Sequence, residues 1–204
     1  MARSTDTKER LLEAALDLIW ERSYGATSVD AICERAGVKK GSFYHFFTSK
    51  SELSVAAIEA SWQQKRDELD KIFSPMVPPL ERFERMHEAG LAEQEQLFES
   101  KGYVCGCALF ALGSEMGTSD QAIRQKVEEI LGYFLRYYES AIRDAHAAGL
   151  VEAEDPAAKA RILFAYVEGM LTQARIMNDL GPIRELITGV FDILGVRRKT
   201  LGAA

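Results

Sequence analysis

From Ile183 to Leu194 the apolar residues Ile183, Leu186, Ile187, Val190, Phe191 and Leu194 fall at i, i+3, i+4, i+7, i+8 and i+11. That spacing places them on one face of an α-helix. The same period runs through nearly every segment between breaks, and it excludes most sheet folds. Leu11, Leu12, Ala15, Leu18 and Ile19 stripe a predicted helix over 5–22, which Gly25 stops. Thr27 or Ser28 caps a short helix with Val29, Ile32 and Cys33 on its apolar face, and Gly37 ends it. A third helix is predicted over 40–46. Ser49 caps a fourth, which runs through Leu53 and Ile58 to about Phe73.

Three of the five prolines sit in SPMVPPL, the strongest break in the chain. Further helices are expected over 80–99, 108–116 and 120–148, then from Asp155-Pro156 to about Leu180, and finally from Gly181-Pro182 onward. No strand-like alternation, repeat or low-complexity tract interrupts them. The expected fold class is all-α, with about nine helices.

None of the apolar runs approaches the ~20 residues of a membrane span. The N-terminal residues lack a signal-peptide core, so a cytoplasmic protein without a membrane partner is expected. The three cysteines, Cys33, Cys105 and Cys107, fit a reducing compartment. They lack the partner spacing of a zinc site, so neither metal nor cofactor is expected. The net charge of −6 argues against a protein that coats nucleic acid indiscriminately. That charge is uneven. Residues 1–55 hold eight basic and eight acidic side chains, so the remainder carries the whole −6. Two parts with different partners are expected, over 1–50 and over 51–204.

The stretch TSVDAICERAGVKKGSFYHFFTSKSEL, from Thr27 to Leu53, contains two short helices joined at a glycine. This is the layout of a helix-turn-helix, whose second helix enters the major groove. Lys39, Lys40 and Lys50 have the charge to neutralise phosphate. Gly41 and Ser42 are small enough to let the helix N-terminus approach the backbone. Tyr44 and His45 carry polar tips, and Phe43 and Phe47, four apart, should be core.

The same stretch resembles the DNA-binding region of the TetR/AcrR family of transcriptional regulators, through Thr27, Ile32, Ala36-Gly37-Val38, Gly41, Phe43-Tyr44, Phe47, Lys50 and Leu53. The resemblance covers the first ~55 residues continuously. It implies a homodimer on a near-palindromic double-stranded DNA operator, released when an effector occupies the C-terminal domain. It also implies phosphate contacts from Thr27, Tyr44 and Lys50, and base or backbone contacts from Lys39, Lys40, Ser42 and His45. Ser28 and Gly41 complete the candidate interface. Phe46 departs from the family, where tyrosine or histidine is common, so no polar contact is expected there. Arg3 is a further candidate contact.

A lone helix-turn-helix reads too few base pairs to be selective, so dimerisation is expected. Ala165 and Gly169 would let two backbones approach, flanked by Ile162 and Gln173. Ile187, Val190, Phe191 and Leu194 would supply apolar area in a four-helix interface. Met86, His87, Phe110, Tyr133, Tyr137 and Tyr166 are candidate effector contacts, although such residues at helical spacing are more often core.

In YVCGCALFALGSEM, Cys107 lies at a predicted helix start, where the thiol becomes a better nucleophile. Cys105 is a candidate resolving thiol, although a spacing this short strains a direct disulfide. Gly106, Cys107, Leu109, Leu112 and Glu115 are similar to the GCxLxxLxxE pattern of a TetR branch that regulates electrophile-detoxifying reductases. That likeness implies that Cys107 senses an electrophile or oxidant. Ligand or thiol chemistry in the back half is expected to move the fourth helix, which links both parts. A buried, inert cysteine is the alternative. The best reading is a ligand- or electrophile-released repressor. The alternative function is an architectural or cell-division DNA-binding factor of the same fold, without an effector. An enzyme is not expected, because no catalytic pair stands at workable spacing.

Overall fold

The computed structural model describes residues 2–196, with side chains from Asp6 onward, so the Arg3 side chain lies outside the described residues. Within that span the chain forms nine α-helices and no strand, as the periodicity predicts. In order they are α1 (Ala2–Arg22), α2 (Val29–Ala36), α3 (Lys40–Phe46), α4 (Lys50–Ile72), α5 (Pro79–Lys101), α6 (Ala108–Met116), α7 (Gln121–Ala147), α8 (Pro156–Met177) and α9 (Gly181–Leu194). None is long and apolar enough to cross a membrane. The expected boundaries shift most at the start of α1, which begins three residues early, and at the end of α8. Helix α8 ends three residues early because Asn178 adopts the left-handed conformation, φ 51°, and its N–H closes the helix on Ala174 and Arg175.

The chain divides into two compact units. One holds the residues up to Asp67 together with Cys107–Leu131; the other holds Glu68–Gly106 and the chain from Gly132. The division therefore falls inside α4, between Gly106 and Cys107, and inside α7.

In the first unit, Leu11, Ala15 and Leu18 of α1 meet Ile32, Cys33 and Ala36 of α2, together with Phe43, Phe47, Leu53 and Ala57. Cys33, Phe43 and Phe47 are core, as expected. The turn between α2 and α3 depends on Gly37. Its φ of 62° is costly for residues with a Cβ, and an added Cβ would lie 2.7 Å from the Arg10 guanidinium. Arg10 occupies that space because it donates to the carbonyls of Ala36 and Gly37. Arg35 forks onto Glu21 at 3.2 and 3.0 Å, a second tie between α1 and α2.

In the second unit, α9 packs on α8 and α5. Tyr138 is the hub of an aromatic cluster: it stacks on Phe73 at 5.9 Å and meets Phe83 and Phe164 edge-on at 5.6 and 5.7 Å. Beside it Arg82 is 2% exposed, donating from Nε to Val77 O at 2.9 Å and from a terminal nitrogen to Asp144 at 2.6 Å. A buried cation deprived of its carboxylate is costly, whereas a half-exposed carboxylate can be hydrated. Asp144→Ala should therefore lower the unfolding free energy by about 3 kcal/mol, and adding Arg82→Met should recover part of that loss. Urea denaturation of the three variants checks this order.

Candidate nucleic-acid interface and sensor site

Helix α3 has only seven residues, and a helix this short is not stable by itself. It is held by Phe43, which is fully buried, with the Tyr44 ring edge-on at 5.0 Å and Phe47 at 6.1 Å. Burying Phe43 turns the other face outward. Lys39, Lys40, Gly41, Tyr44 and His45 are exposed and Ser42 is half-buried. Lys40 pairs with Asp30 at 2.7 Å, and that hydrogen bond raises the lysine's pKa. Ser28 is exposed and caps α2, its Oγ accepting from Ala31 N at 3.1 Å.

Two of the expected phosphate-contacting side chains are turned into the protein. Thr27 is buried, and its hydroxyl donates to Ser23 O at 2.7 Å. Lys50 donates from Nζ to Tyr24 O and Thr27 O, both at 2.7 Å, with the Tyr24 ring centre 3.9 Å away. Burial pulls the Lys50 pKa down, against the opposing charge of Glu115. Both residues thus serve the turn that leads into α2.

The irregular segment before α6 is bracketed by side chains. Buried Gln94 accepts from Gly106 N at 3.0 Å and donates to Gly106 O at 3.1 Å. Arg175 donates to Cys105 O at 3.1 Å, and Asn178 Oδ1 accepts from Val104 N at 2.9 Å. Cys105 is buried in the second unit. Cys107 belongs to the first unit, is half-buried and caps α6, its sulfur accepting from Phe110 N at 3.4 Å. Neither cysteine is in a disulfide. Phe110 is exposed.

The other candidate effector contacts separate into two groups. Met86 and His87 line a cavity of about 70 Å³ in the second unit, with Gly90, Leu91, Tyr138, Val167, Leu171, Ile183, Leu186 and Val190. His87 Nε2 is 2.8 Å from Ile183 O, which orients the ring. Tyr133, Tyr137 and Tyr166 are outside that lining. Arg136 lies over the Tyr133 ring at 4.5 Å, and the Tyr137 hydroxyl donates to Asp70. The Tyr166 hydroxyl lies over Gly189, where an added Cβ would be 2.0 Å away. Burial, then the charges of Asp192 and Glu185, raises the Tyr166 pKa. The apolar lining residues carry no sequence signal of a cavity, because their spacing is that of ordinary core. Among the described residues, no group of His, Cys, Asp or Glu could hold a metal ion.

On α8, Ile162, Ala165, Gly169 and Gln173 are exposed along one face, and Ile176 at 78% exposure continues it. On α9, Ile187 and Phe191 are half-buried. Val190 and Leu194, expected at a dimer contact, point inward instead and are buried within the monomer. A stripe spanning i to i+11 is wider than one contact needs, so its centre packs inside the subunit.

The family model "Bacterial regulatory proteins, tetR family" matches residues 11–57, and "Tetracyclin repressor-like, C-terminal domain" matches residues 79–190. The chain belongs to the TetR family. It is 33% identical to the transcriptional regulator AcuR of Cereibacter sphaeroides over 180 residues, 86% of this chain and 79% of that protein. It is 26% identical to the transcriptional repressor NemR of Escherichia coli K12, across 93% of this chain and 94% of NemR. A crystal structure of a regulatory protein TetR from Rhodobacter sphaeroides superposes with TM-score 0.81 at 28% identity, covering 91% and 97% of the two chains. Reduced E. coli NemR shares the fold, with TM-score 0.78 at 23% identity over 94% and 98% of the chains. The protein is a TetR-type transcriptional regulator, and α2–α3 is its helix-turn-helix.

The Gly106 bracket yields a direct test. At φ 67°, and with Leu171 O 3.2 Å from where a Cβ would lie, this position strains any other residue. Gly106→Ala should cost about 1–2 kcal/mol of stability, measured by thermal and urea unfolding.

Proposed function

We propose that the protein is a homodimeric repressor that binds a near-palindromic operator and is released by a small-molecule or thiol-reactive effector. In this reading residues 1–50 bind DNA, and 51–204 sense the effector and form the dimer. The protein acts in the cytoplasm and has no enzymatic activity.

The observation that carries the DNA-binding surface is Gly41. A Cβ there would meet nothing within 4 Å, so the packing of this chain does not require a glycine in a seven-residue helix. Glycine costs helix stability relative to alanine, and close approach of an outside backbone compensates for it. The exposed Lys39, Lys40, Ser42, Tyr44 and His45 surround that gap. Lys39 and Lys40 supply phosphate contacts, while Lys50 supports the fold of the turn. The α8 face has the same logic: a Cβ on Gly169 would also meet nothing, and exposed Ile162 and Ile176 flank it. A second copy of that face, joined by Ile187 and Phe191, buries them.

Cys107 is the proposed thiol sensor, supported by its partial exposure and its place at the start of α6. The relatedness to NemR, named a transcriptional repressor, supports repression.

Gly41→Ala should raise thermal stability yet weaken operator binding, an opposition that a packing role cannot produce. Lys39→Ala should lower the salt slope of binding by about one unit, and Lys50→Met should leave that slope unchanged. Fluorescence anisotropy across a salt series measures both.

The reduced protein should bind DNA from its own upstream region specifically, as a species of twice the 22.8 kDa chain mass. N-Ethylmaleimide should abolish this binding in the wild type and spare it in Cys107→Ser. A monomer in sedimentation, or equal sensitivity of the two proteins, would refute the corresponding part of the reading.

A further inference from the structure

The first compact unit contains α6 as well as α1–α3, although more than sixty residues separate them in sequence. The contact between them is specific. Glu115, in the last turn of α6, directs its carboxylate at the turn between α1 and α2. One oxygen accepts from Tyr24 N at 2.8 Å and the other from Gly25 N at 2.7 Å. The same turn is gripped through its carbonyls, because Lys50 donates to Tyr24 O and Thr27 O at 2.7 Å. An anion on the amides and a cation on the carbonyls thus hold one short stretch of irregular backbone. Hydrogen bonds to ionised groups are stronger than neutral ones. The two charges also act on each other, since Glu115 favours the charged form of Lys50.

This turn leads directly into the Ser28 cap of α2, and Lys50 is the first residue of α4. Gly25 is fitted to the clasp, because a Cβ on it would lie 3.1 Å from the Glu115 carboxylate.

We propose that Glu115 is a positioning residue for DNA binding: with Lys50 it clasps the α1–α2 turn and so fixes the entry of the helix-turn-helix. The proposal deepens the regulator reading and rests on it. Neither charge touches DNA. The clasp acts by holding the backbone from which α2 starts.

The decisive experiment is a double-mutant cycle on operator affinity, made with the full-length reduced protein. Glu115→Ala should weaken binding about tenfold, equivalent to ~1.4 kcal/mol, with the salt slope unchanged. Glu115→Gln keeps one accepting oxygen and should recover part of the affinity. Glu115→Ala combined with Lys50→Met should bind no worse than the weaker single variant, because either change opens the same clasp. Wild-type affinity in Glu115→Ala, or losses that multiply in the double variant, would overturn the proposal.

Amide hydrogen exchange gives a readout that needs no DNA. The Tyr24 and Gly25 amides and the first turn of α2 should exchange faster in Glu115→Ala and in Glu115→Gln, while α8 stays as in the wild type. Unchanged exchange at those amides would also overturn the proposal, even where the operator is bound. A wild type that binds no DNA specifically would instead refute the regulator reading. Exchange would still decide whether the clasp positions the turn.

Discussion

The burial of one ring, Phe43, governs what the N-terminal unit can present to DNA. A seven-residue helix has too few internal hydrogen bonds to persist alone. Packing Phe43 between α1, α2 and the start of α4 stabilises it and also sets its rotation. Once Phe43 faces inward, the helical period turns Lys40, Gly41, Tyr44 and His45 outward. The aromatic cluster in GSFYHFF is therefore a division of labour: Phe43 and Phe47 anchor, while Tyr44 and His45 are displayed.

Around that anchor, irregular backbone is held by charged side chains. Arg10 donates to the carbonyls at the end of α2, Lys50 to those of the α1–α2 turn, and Glu115 accepts from the amides of the same turn. Each satisfies groups that a helix end or turn leaves open. This pattern also gives the acidic chain a local use for several of its charges. Glu115 lies at one end of α6 and Cys107 caps the other, so a nine-residue helix joins the candidate thiol to the turn before the helix-turn-helix.

The second unit uses neutral and aromatic contacts more heavily. Tyr138 gathers Phe73, Phe83 and Phe164 around it, and Gln94 treats Gly106 as a strand partner would, accepting from its N–H and donating to its carbonyl. The small apolar cavity lies between α5, α7, α8 and α9, with His87 and Tyr138 the polar side chains in its lining. The exposed α8 face is the proposed dimer surface, and the inner half of the α9 stripe is consumed within the subunit.

Helix number, most helix boundaries and the helix-turn-helix were legible in the sequence, because they depend on local period, caps and breakers. Ser28, Gly37 and Pro156 act within a turn or two of where they stand. The burial of Phe43, Phe47 and Cys33 was legible for the same reason. What each polar side chain touches was not. Lys50 reads as a phosphate ligand just after the recognition helix, yet its ammonium meets carbonyls more than twenty residues away. Val190 and Leu194 share a stripe with Ile187 and Phe191, and only the packing of α9 on α8 and α5 divides the stripe into inner and outer halves. The partnership of Glu115 with Tyr24 and Gly25 spans about ninety residues. Periodicity determines which face of a helix is apolar; tertiary packing determines which charges meet, because those distances depend on the whole path of the chain.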